Sequence, residues 1–125
     1  MPRMTIDYEQ TEDFTKDFKK LRKRYRTLEE DLNTAKTAAI ELFHLQAINN
    51  SSVFPIPGFC TPEIQVSKLK KFACRALKGK GAKSGIRVIY AFYPNSFRVV
   101  FLEMYFKADQ ENETKQRIKA YLDTV

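Results

Sequence analysis

The sequence predicts a single α+β domain, with a helix hairpin packed on one face of an antiparallel β-sheet and a further helix at the C-terminus, in the order βααβββα. Three observations predict it. Apolar residues recur at helical spacing over the first third of the chain. They alternate at strand spacing further on. Clusters of Gly, Pro, Asn and Ser separate the two patterns. The 125 residues suit one domain. With 43% hydrophobic residues, ten Phe and six Tyr against four Gly and five Pro, the chain can bury a core.

The elements follow in order. Arg3–Glu9 is expected as a first strand, with Met4, Ile6 and Tyr8 alternating with polar neighbours. Thr11 offers an N-cap, and Glu12 and Asp13 suit the positive end of a helix. Phe14, Phe18, Leu21 and Tyr25 form its apolar stripe. Arg22, Lys23, Arg24 and Arg26 lie at its negative end, where they either cap the helix or touch RNA. Thr27-Leu28-Glu29-Glu30 has a capping-box pattern and opens a second helix. Leu28, Leu32, Ala35, Ala39 and Leu42 or Phe43 should line its buried side.

Asn49–Pro62, with three prolines and Gly58, reads as a loop. Strands are expected over Ser67–Leu77, Ile86–Tyr93 and Phe97–Phe106, with a Gly/Lys loop at Lys78–Gly85. A three-residue turn, Pro94-Asn95-Ser96, would pair Tyr93 with Phe97, Arg87 with Glu103 and Gly85 with Tyr105. It would put Arg98 on the opposite face from Arg87. Asp109 should cap the last helix, with Ile118, Tyr121, Leu122 and Val125 apolar and Glu113 four residues before Arg117.

Charge is distributed unevenly. Ile64–Leu102 carries Lys68, Lys70, Lys71, Arg75, Lys78, Lys80, Lys83, Arg87 and Arg98 and no carboxylate. The flanking segments are each close to neutral, so the net charge of +7 resides in that stretch. An ordinary solvated face mixes signs. Uncompensated Lys and Arg mark a polyanion site, and RNA is the expected partner. The N-terminus, Met1-Pro2-Arg3-Met4-Thr5, has no apolar signal core, and no apolar run could span a bilayer. A cytoplasmic protein without membrane contact is expected, with Cys60 and Cys74 reduced. No motif calls for a metal or other cofactor. The single histidine, His44, reads as a helix-surface or core-edge residue.

The expected hairpin gathers Arg87, Glu103, Tyr105 and Lys107 beside the Gly/Lys loop, with Lys68, Lys70, Lys71 and Arg75 on the preceding strand. Such a groove could cleave RNA without metal. The 2′-hydroxyl attacks the adjacent phosphorus, a base and an acid move protons, and cations hold the phosphoryl charge. The plain alternative is a cross-strand Arg87–Glu103 salt bridge. Lys68, Lys70, Lys71, Arg75, Lys78, Lys80 and Lys83 are expected to bind the RNA, and Arg87, Glu103, Tyr105 and Lys107 to act on it.

Three runs resemble the RelE/HigB superfamily of toxin–antitoxin systems. They are Lys70–Gly81 leading into Ser84-Gly85-Ile86-Arg87-Val88-Ile89-Tyr90, then Tyr105–Glu113, and Phe14–Leu21 in the first helix. The most specific piece is Ser-Gly-x-Arg-Val-x-Tyr. The resemblance implies one RelE-like domain over residues 1–125. It also implies a ribosome-dependent mRNA endoribonuclease silenced by a cognate antitoxin protein, with the ribosome and mRNA as further partners. It places the family's arginine on Arg87, its strand lysines near Lys70, Lys71 and Arg75, and its last-strand lysine on Lys107. RelE itself has an arginine after that lysine and a tyrosine in the final helix. Here those places hold Ala108 and, approximately, Thr114, with Tyr105 or Tyr121 as substitutes. The related ParE toxins share the fold, lack the nuclease residues and inhibit gyrase. A gyrase inhibitor or a non-catalytic ribosome or RNA binder is therefore the alternative.

Overall fold

A computed structural model describes residues 5–48, 52–70 and 85–125. Strand β1 (Asp7–Gln10) leads into helix α1 (Glu12–Arg24). Helix α2 (Leu28–Ala35) continues through a π-helical stretch (Lys36–Glu41) into α3 (Leu42–Gln46). Strands β2 (Val53–Cys60), β3 (Gln65–Leu69), β4 (Ile86–Tyr93) and β5 (Arg98–Phe106) follow, and α4 (Lys115–Asp123) ends the chain. The sheet order is β1-β5-β4-β3-β2.

Two features depart from the expected architecture. The first strand pairs in parallel with β5, so the sheet is mixed rather than antiparallel. It also starts later than expected, at Asp7. The second departure is β2, which occupies the segment expected to be a loop and pairs antiparallel with β3. Its prolines are tolerated because β2 is an edge strand. The Lys70 N–H donates to the Ser52 carbonyl at 2.9 Å, so alternate positions from Ser52 face β3. Pro55 falls between them, where its missing N–H would have pointed outward.

Helix α1 forms as its sequence dictates. The Thr11 hydroxyl accepts the Phe14 N–H at 3.2 Å, and Phe14 and Leu21 are buried. At α2 the Thr27 hydroxyl donates to the Asp31 carboxylate at 2.7 Å, and no side-chain bond from Thr27 caps the backbone. The π-helical stretch turns the following residues by about one position. Ile40 therefore enters the core with Leu28, Leu32, Ala35 and Ala39, while Leu42 and Phe43 are only half-buried.

The sheet has two differently covered faces. On one, α1 and α2 contribute Phe14, Leu21, Leu28 and Leu32 to a core with Val88, Tyr90, Phe92, Val99, Phe101 and Met104. On the other, α4 brings Ile118 against Ile56, Val66, Ile89, Ala91, Val100, Leu102 and Tyr105.

The β4–β5 register corrects the expected one twice. The turn holds four residues, because Phe97 adopts a left-handed φ of 51°, and Tyr93 pairs with Arg98. A β-bulge at Leu102 then shifts the pairing again, so Arg87 faces Tyr105 and Ile89 faces Glu103. Arg98 therefore shares a face with Arg87, though at the far end. Gly85 adopts a φ of +87°, and a Cβ there would lie 2.8 Å from the Phe106 ring. Only glycine fits both demands.

Candidate functional site

The face under α4 is built in rows across the strands. One row runs Phe54, Lys68, Ile89, Glu103. The next holds Lys70, Arg87 and Tyr105. Arg87 pairs with Tyr105, and its Nη1 donates to the Lys70 carbonyl at 2.9 Å. Lys107 lies one step further, its N–H donating to the Gly85 carbonyl at 2.8 Å. Lys70 and Lys107 are exposed, Arg87 is half-buried and Tyr105 is buried. Lys68, Lys70, Arg87, Tyr105 and Lys107 thus share one end of one sheet face. Lys71, Arg75, Lys78, Lys80 and Lys83 lie outside the described residues, as do Cys74 and the Gly/Lys loop up to Gly85.

Glu103 sits beside this group but is fully engaged. It accepts the Thr114 N–H and hydroxyl, each at 2.8 Å, and the Gln110 amide at 3.0 Å. Arg117 lies 3.8 Å away. Only 3% of Glu103 is exposed, so no lone pair is left facing a substrate. The expected Arg87–Glu103 salt bridge is absent, because the four-residue turn and the bulge together place Glu103 one row away.

The same contacts relocate the last helix. It begins after Thr114, which Glu103 holds, and not at Asp109. Asp109 instead pairs with Arg24 at 2.7 Å. Val125 lies beyond the helix and is exposed. Arg117 bonds Asp17 of α1 at 2.6 and 3.2 Å rather than Glu113. Asp17 also accepts the Met104 N–H at 3.2 Å. That donor is on the part of β5 beyond its pairing with β1, so the Asp17–Arg117 pair covers an otherwise open edge.

Glu113 is the site carboxylate that sequence reasoning missed. Its Oε2 lies 2.5 Å from Lys68 Nζ, and both side chains are mostly buried. Burial pushes the Glu113 carboxyl up. The hydrogen bond from Lys68 and the charges of Lys68 and Lys115 outweigh it, leaving the group below its usual range. Burial pushes the Tyr105 phenol up, against the opposing charge of Lys68, so it stays protonated at neutral pH. The pairing of Lys68 with Glu113 could not be read from the sequence, since β3 and the segment before α4 are 45 residues apart.

Other titratable groups lie elsewhere. His44 is on the opposite face, 2.8 Å from the Tyr90 hydroxyl and stacked on Phe92. Burial lowers its pKa to about 4. It is a core-edge histidine, as expected. Tyr121 bonds the Tyr93 hydroxyl, and Arg98 stacks on Tyr93 and pairs with Glu9 at 3.0 Å. Tyr93 is six residues from Arg87 along β4, about 20 Å, so neither Tyr121 nor Arg98 joins this group. A cavity of about 460 Å³ beside Phe43, Pro55, Cys60 and Gln65 contains none of the cations. Cys60 is a free thiol. Among the described residues, no three His, Cys, Asp or Glu side chains gather as a metal site. No described helix is long and apolar enough to cross a membrane.

No family model matches the sequence, and no curated protein matches it. Among solved structures, the chain is similar to one in the archaeal RelE–RelB complex from Pyrococcus horikoshii OT3. The match has 14% identity and a TM-score of 0.50, and covers 83% of this chain and 97% of that one. The likeness is one of architecture: the fold is RelE-like.

Proposed function

We propose that this protein is the toxin of a toxin–antitoxin pair and that it cleaves mRNA on the ribosome, in the cytoplasm, under control of a cognate antitoxin. The observation that carries the reading is the gathering of Lys70, Arg87, Tyr105 and Lys107 at one end of one sheet face, with Lys70 and Lys107 exposed. The RelE-like fold supports it. The resemblance in sequence at Gly85-Ile86-Arg87 coincides with the place where the cations meet.

In this reading the RNA phosphate lies against Arg87 and Lys107. The 2′-oxygen attacks phosphorus, the bond to the 5′-oxygen breaks, and a 2′,3′-cyclic phosphate and a 5′-hydroxyl result. Arg87 suits the charge on the phosphoryl oxygens because it is planar, bidentate and always ionised. Tyr105, kept protonated by burial, is the donor to the leaving oxygen. The proton of the 2′-hydroxyl needs an acceptor, and Glu103 is spent on Thr114 and Gln110. Glu113 is the other carboxylate beside this group, and Lys68 weakens it as a base. This favours a second reading, a RelE-like protein that binds RNA or the ribosome without cutting.

Primer extension on translated mRNA after induction separates the readings. The expected result is new cuts in the wild type that are at least about a hundredfold weaker in Arg87→Ala, the loss typical of a missing charge-stabilising donor. Arrested translation without cuts favours the binder. Trapped gyrase–DNA complexes without cuts would overturn both and favour a ParE-like inhibitor.

A further inference from the structure

The face that gathers the cations continues past them onto β2. Phe54 stands opposite Lys68 in the β2–β3 ladder. Among the described residues it is one of the few large apolar side chains left open to solvent, at 37% exposure. The Lys70 ammonium lies 4.6 Å from the centre of its ring. Phe54, Pro55, Ile56 and Pro57 line an open cavity of about 160 Å³ with Lys68, Lys70 and Glu113. An accessible aromatic ring therefore stands beside the exposed Lys70 and the Glu113-paired Lys68 on the same sheet face.

That combination selects among polyanions. A double helix turns its base faces inward and offers nothing to an aromatic ring. An apolar protein segment on Phe54 would strip water from Lys70 without returning a partner. Unpaired RNA satisfies both halves: its bases stack on aromatic side chains while its phosphates meet Lys and Arg. Lys70 is held over the ring by a contact that is weak at an exposed site. A phosphate would draw the ammonium away and free that ring face for a base.

We propose that Phe54 is a stacking platform for one unpaired RNA base, next to a phosphate held by Lys70, which Lys68 joins when the phosphate displaces Glu113. The proposal rests on the RNA-binding reading above and extends it to the edge of the sheet. β2 and β5 are three strand spacings apart, about 14 Å. The base on Phe54 therefore belongs to a nucleotide flanking the one at Arg87 and Lys107. Phe54 makes the site read a length of single strand rather than one phosphate.

The test uses the absence of tryptophan from the chain. In Phe54→Trp the new indole is the sole tryptophan, and its emission should be quenched by an unstructured RNA decamer. A decamer of abasic ribose phosphates should bind without quenching. Phe54→Ala should bind the RNA decamer about ten- to a hundredfold more weakly, bind the abasic one as the wild type does, and melt with the wild type. Wild-type binding with no loss in Phe54→Ala, or with no quenching in Phe54→Trp, overturns the platform and leaves the RNA reading standing. Failure of the folded wild type to bind the decamer at all overturns both.

Discussion

The two faces of the sheet are built on opposite principles. Under α1 and α2 the face is filled, with Phe14, Leu28, Ile40, Val88 and Tyr90 wholly or nearly wholly buried. Its polar groups serve each other, as His44 and Tyr90 do. Under α4 the face is only partly covered by the described residues. A nine-residue helix shields Val66, Ile89, Val100 and Tyr105, and at one end of the face Arg87 is half-buried and Lys70 and Lys107 are exposed. The comparison teaches where function can reside in so small a fold. A face packed to exclude water supplies stability, and a face covered halfway leaves a shelf on which charges can meet a ligand. At the boundary of that shelf, Glu103 and Arg117 hold α4 in place.

The sharpest way to break this division is to remove the anchor. Glu103→Gln keeps the shape and removes the charge. It turns an amide N–H₂ toward donors that Glu103 now accepts. Bonds to a buried charged acceptor contribute about 1.5–3 kcal/mol, so urea denaturation should show a loss of about 2–3 kcal/mol. RNA affinity should stay within about twofold once the protein is folded. A stability loss below about 1 kcal/mol, as for an exposed cross-strand pair, would mean that Glu103 does not hold α4.

How much of this was legible in the sequence follows from the range of the forces involved. The limits of α1 and β4 were readable, because a cap, a stripe and an alternation are local. The group of Arg87, Tyr105 and Lys107 came out on one side although the expected register was wrong, because the longer turn and the bulge each shift the ladder by one residue and together restore its parity. The register was not readable, and neither was the role of Glu103. Phe97 in a left-handed conformation and the bulge at Leu102 each shift the ladder by one residue. Neither leaves a mark such as glycine in the sequence. β2 was missed for a different reason. Proline reads as a loop unless the strand is known to lie at an edge, and edge position depends on the whole sheet. Glu113 was misassigned because α4 starts where Glu103 holds Thr114, a contact between elements that no local pattern encodes.

The filled face makes a prediction through pH. The folded protein keeps His44 neutral down to about pH 4, while an unfolded chain protonates it near 6.5. Between those values the unfolded state binds the extra proton, so stability is full above about pH 6.5 and falls as the pH drops toward 4. From pH 7 to 5 the loss should be about 1–2 kcal/mol. His44 is the only histidine, so His44→Gln, which can still bond the Tyr90 hydroxyl, should flatten the dependence. RNA binding should not follow His44, because the ring lies on the other side of the sheet. If His44→Gln leaves the slope unchanged, the ring is not shielded by the core as its packing on Phe92 indicates.

The smallest expected effect lies on the open face and concerns Glu113. Its carboxylate sits on Lys68 where a phosphate would sit, and Lys68 keeps it ionised at any pH near neutrality. RNA must therefore displace one of the protein's own anions to reach Lys68. Glu113→Gln preserves the volume and removes the competitor, so affinity for the RNA decamer should rise about three- to tenfold. The dependence of log affinity on log salt should steepen by about 0.7, the increment for one more phosphate contact on a single strand. Lys68→Met should lower affinity and make it indifferent to Glu113→Gln, since the carboxylate then has no cation to occupy. Weaker binding by Glu113→Gln would instead mean that the carboxylate positions Lys68 for RNA. No change in either affinity or slope would place Lys68 among the charges that hold the fold together, and the RNA path would then run over Lys70, Arg87 and Lys107 alone.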